Sequence, residues 1–211
     1  MSIDYFMQYI RALGVLSMTF ITLFIVIPNA PKSLLYLTTW GFLLTNCYFF
    51  ISFFWGSDGR LKKILTKSYA VLWGLNWNIT LVYWILIFSY DPNPLYKRII
   101  FHTIPIFFTM IEFPFNQARL KRKHYRFMIV LHVCYFGFYS VTTWMNGEGV
   151  YTGIDFTNFL IVFMTLLNFL VSLGAMEIGR RIKNRIIRKN SNKVSTDMEI
   201  PERKINRDNL I

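Results

Sequence analysis

Charged residues make up only 16% of the 211-residue chain, against 54% hydrophobic and 18% aromatic, and the mean hydropathy is +0.37. So little charge excludes an ordinary soluble domain. Strictly alternating polar and apolar segments are lacking too, which excludes a membrane β-barrel. Cysteine is scarce: Cys47 and Cys134 both fall inside apolar runs, make no disulfide framework and carry no information on redox compartment. There is no phosphate-binding glycine loop, no HExxH pair and no Cys/His cluster, so neither a metal nor any other cofactor is implied. Acidic residues number 11 against 23 Lys and Arg, but the net charge of +12 lies in connections and tail, with no recognition motif beside it. Nucleic acid is not an expected partner.

What the chain does contain is a series of uncharged runs long enough to cross a ~30 Å hydrocarbon core at ~1.5 Å per helical residue. Runs at about 10–28, 33–55, 68–90, 99–117, 127–145 and 156–177 predict an all-α polytopic membrane protein, a bundle of six transmembrane helices within residues 1–178. The first run resembles a signal peptide, but Pro28 would stand at the −3 place of a cleavage after Ala30, so a retained span is expected. Residues 179–211 form a basic tail, expected to be largely disordered and to meet anionic lipid headgroups. Lys and Arg number four and five in the connections after spans two and four, but one, two and none after spans one, three and five. The positive-inside rule then puts both termini in the cytoplasm.

The fourth run, Ile99–Asn116, reads IIFHTIPIFFTMIEFPFN and holds the ionisable side chains that hydrocarbon penalises. In the expected topology His102 lies near the non-cytoplasmic boundary, at a depth similar to Thr38 at the start of span two. A hydroxyl and an imidazole at one depth on two helices are the minimum parts for nucleophilic catalysis, and equally common as helix-packing groups. Thr39 is an adjacent alternative, and Thr142-Thr143-Trp144 repeats the Thr38-Thr39-Trp40 triplet near the same face. Asp155, at the start of span six, could support His102 or simply satisfy helix-start amides. His132 falls near the opposite face, too far from Thr38 to serve it.

Glu112 lies ten residues beyond His102, ~15 Å along a helix, and belongs to another layer. Asn46, Asn76, Asn78 and Asn168 fall at similar depths, so a buried polar network around Glu112 is expected, fixing helix register or forming an ion or proton pathway. Asn78-Ile79-Thr80 matches a glycosylation sequon but lies within a span.

Tyr36-Leu37-Thr38-Thr39-Trp40-Gly41, the His102-Thr103 to Ile111-Glu112 segment and Tyr151-Thr152-Gly153-Ile154-Asp155 occur in that order. Together they resemble motifs of the androgen-induced and androgen-dependent membrane protein family, and the first also those of the rolling stone proteins. The resemblance runs from Ser33 to about Gly174, with Thr152 where the family has proline. It implies a six-span protein of the endomembrane system, such as the endoplasmic reticulum, or of the plasma membrane. It also implies threonine-dependent hydrolysis of fatty acid esters of hydroxy fatty acids, with Thr38 as nucleophile and His102 as its partner. The alternatives are a non-catalytic membrane adaptor or fusion-related protein, and a small transporter using Glu112.

Overall fold

The computed structural model describes residues 3–30, 32–56, 59–116, 118–147 and 159–208. All regular structure among them is helical: α1 (Ile3–Ile21), α2 (Leu37–Trp55), α3 (Gly59–Val82), α4 (Leu95–His102), α5 (Ile104–Phe115), α6 (Tyr125–Asn146) and α7 (Leu160–Asp208). Short π- and 3₁₀-helical turns prolong α1 to Asn29 and α3 to Tyr90. Six helices are long and apolar enough to cross a membrane, with α4 and α5 counting as one, and the chain is an integral membrane protein.

Burial is arranged as lipid requires. Large apolar side chains such as Phe20, Phe24, Ile85, Val133 and Phe163 face outward, while Thr45, Asn76, Asn78, Thr109, Glu112 and Ser172 are buried. With no water to receive them, polar groups go inside and hydrogen-bond across helices. The core is built on α3, which packs against α2 and α7. Two glycines permit the α3–α7 approach: a Cβ on Gly74 would meet Met176 Cγ at 2.6 Å and Ser172 O at 2.9 Å, and one on Gly179 would collide with the Trp73 indole. That indole donates to Ala175 O at 2.9 Å and stacks on Phe113 with ring centroids 4.0 Å apart, joining α3, α5 and α7.

Several boundaries differ from the sequence expectation. Helix α1 begins at Ile3, ahead of the run expected from about residue 10, with Met7 and Ile10 buried, so Arg11 sits well within the helix. Its guanidinium donates to Glu112 Oε1 from Nε at 3.0 Å and from Nη2 at 2.7 Å. Arg60, Lys62, Lys63 and Lys67, expected in a connection, ride on the first turns of α3. Span two becomes α-helical at Leu37, after a 3₁₀ turn at Lys32–Leu35. The fourth span breaks at Thr103 (φ −121°, ψ −39°) because Pro105 has no N–H and its ring excludes the carbonyl four residues earlier. Finally, α7 continues past the expected end of the sixth span to Asp208.

Glu112 is fully buried and Arg11 partly so, with side-chain exposures of 0% and 18%. Tyr48 OH and Asn116 Nδ2 each donate to the same Oε1 at 3.1 Å, so α1, α2 and α5 meet at one oxygen. Leaving either charge alone in this interior should cost about 3–5 kcal/mol. Arg11→Met and Glu112→Leu should therefore each destabilise the protein strongly, and the double variant by much less than their sum, as read by unfolding in detergent micelles. Additive effects would refute the pairing. At the glycines, Gly174→Ala, where an added Cβ meets nothing within 4 Å, should raise stability by about 0.4–1 kcal/mol. Gly179→Ala should lower it.

Candidate functional site

The break at Thr103 separates the fourth span into two parts with different neighbours. Below it, α5 is fastened through Glu112. Above it, α4 ends on His102, whose imidazole lies flat on the Tyr83 ring, with centroids 3.3 Å apart and planes within 3°. The His102 carbonyl accepts the Thr80 hydroxyl at 2.6 Å, and Trp84 Nε1 donates to Thr103 Oγ1 at 3.2 Å. The break is thus held to the end of α3 and the π-helical turn that prolongs it by three side chains within about one turn, Thr80, Tyr83 and Trp84.

Tyr83 is itself fixed. It is 2% exposed, and its hydroxyl donates to Asp91 Oδ2 at 2.7 Å. Asp91 Oδ1 accepts from Asn93 N at 2.9 Å and Asn93 Nδ2 at 2.7 Å, while Arg98 donates to the Asp91 carbonyl. Partial burial pushes the Asp91 carboxyl up. The backbone and side-chain hydrogen bonds from Asn93 and Tyr83, with Arg98 nearby, outweigh it and hold the carboxyl below the ordinary aspartate value. A depressed acid stabilises the fold above its unfolded-state pKa and loses that contribution as pH falls through the folded value. The Tyr83 anchor therefore persists at neutral pH and fails only in acid.

Thr38 approaches from α2. Residues three and seven along, Gly41 and Thr45, share its face. A Cβ on Gly41 would run into Ile79, and Thr45 Oγ1 accepts from Asn76 Nδ2 at 3.0 Å, so this face meets α3. Helices α2 and α3 are antiparallel, and Thr38 and Tyr83 each stand one turn beyond the Gly41–Ile79 contact in the same direction. By the same register the His102 backbone, bonded to Thr80 and following Phe101, stands about one turn from Thr38. One turn below, Phe42 meets Phe101, the neighbour of His102, with centroids 5.5 Å apart. Thr38 is half-buried.

Thr39 is 4% exposed and turns elsewhere: its face continues to Asn46, which bonds Thr19 and Thr22 of α1 at 3.3 and 3.2 Å. Thr142 bonds back to Phe138 and Tyr139 carbonyls, whereas the buried Thr143 hydroxyl has no partner among the described residues. No histidine shares its part of α6. Asp155 lies outside the described residues; the carboxylate connected to His102 through Tyr83 is Asp91.

The three histidines are in different states. His132 uses both ring nitrogens, Nδ1 with Met128 O at 3.0 Å and Nε2 with Ser172 Oγ at 3.3 Å. His124 Nδ1 accepts from Lys121 N at 3.4 Å. His102 Nδ1 is buried and has no hydrogen-bond partner among the described residues. A lone pair left unmade in a low-dielectric interior is costly, and native structures keep few of them.

The expected asparagine network divides into separate groups. Glu112 belongs with Arg11, Tyr48 and Asn116; Asn76 bridges Thr45 and Thr109 at 3.0 Å each. Asn78 donates to Asn168 at 2.9 Å, joining α3 to α7, and Asn46 serves α1. Sequence reasoning missed Arg11, Asp91 and Lys183, since charges near span ends read as flanks. The chain matches no family model, no curated protein and no solved structure.

Proposed function

We propose that this protein is an intramembrane lipid ester hydrolase in which Thr38 is the nucleophile and His102 the general base, acting on fatty acid esters of hydroxy fatty acids or similar lipids. The observation that carries the reading is the buried Nδ1 of His102, without a hydrogen-bond partner among the described residues, on an imidazole stacked on Tyr83. Support also comes from the motif resemblance around both residues. Positive-inside charge orients the site toward the non-cytoplasmic leaflet, with both termini cytoplasmic, in an endomembrane or the plasma membrane.

In this mechanism Thr38 Oγ attacks the ester carbonyl as His102 takes its proton. Collapse of the tetrahedral adduct breaks the ester C–O bond, and the imidazolium protonates the departing hydroxy fatty acid. Water then attacks the acyl-threonine, its proton passing to His102, and release of the acid returns the proton to Thr38. Tyr83 and Asp91 are positioning residues: they hold the plane of the imidazole and touch no substrate. The tie between Glu112 and Arg11 assigns that carboxylate a structural role, which weakens the transporter reading.

Purified protein should label with a fluorophosphonate probe and cleave branched fatty acid esters. Thr38→Ala and His102→Ala should each lower turnover at least ~10²-fold, the scale of general-base and nucleophile loss, while Thr39→Ala retains it. Wild type that neither labels nor turns over ester would favour a non-catalytic adaptor, and equal turnover in all variants would remove Thr38 and His102 from catalysis. Asp91→Asn should lower kcat by about tenfold with KM nearly unchanged, the signature of a disturbed base orientation. A change confined to KM would remove Asp91 from this role.

A further inference from the structure

At the end of the bundle where the basic residues collect, a cleft of about 370 Å³ opens between the end of α5 and α7. Its walls are Pro114, Phe115, Asn116 and Arg119 on one side and Lys183, Ile186 and Ile187 on the other. Lys183 is unusual among lysines in being 2% exposed. Its ammonium donates to Phe113 O at 2.6 Å and more weakly to Pro114 O at 3.5 Å, and stands 5.3 Å from the Phe113 ring centroid. The last carbonyls of α5 thereby receive the donor that a helix end needs.

Those contacts satisfy hydrogen bonds but do not neutralise the charge. Among the described residues, no carboxylate pairs with Lys183 or Arg119. Glu112 is held by Arg11, Tyr48 and Asn116, and Glu177 by Tyr125, Arg180 and Arg181. The sequence supplies no Asp or Glu from Phe113 to Gly147, nor from Ile178 to Thr196. Glu112 lies close enough for its charge to act on Lys183, but it is already paired with Arg11, and no acidic residue lines the cleft between Lys183 and the exposed Arg119.

We propose that this cleft is a specific site for the headgroup phosphate of an anionic phospholipid. Phosphate sits between Lys183 and Arg119, Asn116 lies at the same wall, and Ile186, Ile187 and Phe115 receive the glycerol and the first acyl carbons. Position selects a lipid over a soluble anion: the cleft begins where the fourth span ends, so its apolar wall continues into the hydrocarbon. The site is independent of Thr38 and His102.

The test is native mass spectrometry of the full-length protein in neutral detergent, titrated with dioleoyl phosphatidylglycerol and, separately, dioleoyl phosphatidylcholine. Lys183→Met also removes the cap of α5, so the exposed Arg119 carries the experiment. Arg119→Gln should weaken phosphatidylglycerol binding about fivefold, whereas Arg188→Gln, an equal charge loss outside the cleft, should change it little. Equal losses in the two variants would show diffuse attraction and overturn the proposal. Equal affinity for the two lipids would overturn it as well, and displacement of the lipid by inorganic phosphate would reassign the cleft to a soluble anion.

Discussion

The contact between Arg11 and Glu112 is the constraint on which the rest of the bundle depends. A carboxylate with no solvent exposure can be ionised in hydrocarbon only if its charge is met and its lone pairs are used. Meeting it fixes α1 vertically, because Arg11 must reach the level of Glu112, two turns inside the helix that begins at Ile3. It also brings α2 into place through Tyr48 and closes α5 through Asn116, whose amide also donates to Tyr48 OH at 2.8 Å. Four donated hydrogen bonds converge on Oε1 while Oε2 has none among the described residues, so the carboxylate is held from one side.

Anchoring one half of the fourth span makes the proline break consequential. Without it, α4 and α5 would be one rigid rod, and His102 would follow wherever Glu112 was pinned. Pro105 uncouples them. The eight residues of α4 adjust to α3 independently, and the contacts that set them are those of His102, its carbonyl and Thr103 with Tyr83, Thr80 and Trp84. The division inferred from the ten-residue spacing of His102 and Glu112 is therefore physical: one layer is set by an ion pair and the other by aromatic stacking.

Six apolar helices were legible in hydropathy because bilayer thickness imposes a length that composition alone can meet. Direction around a helix was less legible. Thr38 and Thr39 are equivalent by depth, and only the neighbours of Gly41, Thr45 and Asn46 separate a face toward α3 from a face toward α1. Pairing of charges was not legible at all. Arg11 sits at the edge of its apolar run and Lys183 follows the last one, positions where Lys and Arg ordinarily reach outward to headgroups. Both turn inward, which depends on a partner from a distant part of the chain: Glu112 for one, the Phe113 carbonyl for the other. The asparagines pattern as one layer in sequence, yet each amide has few donors and acceptors and spends them on its nearest helix, so the layer separates into small groups.

The two layers differ in how completely they are tied, and this bears on where chemistry can occur. His132 has both ring nitrogens engaged, and a base so engaged must break a hydrogen bond before accepting a proton. His102 has the opposite balance: its orientation is imposed through the ring face by Tyr83 and through the backbone by Thr80, neither of which uses Nδ1. The stack, the backbone hydrogen bond and the Tyr83–Asp91 contact hold the ring without engaging Nδ1, an arrangement compatible with the proposed role as general base.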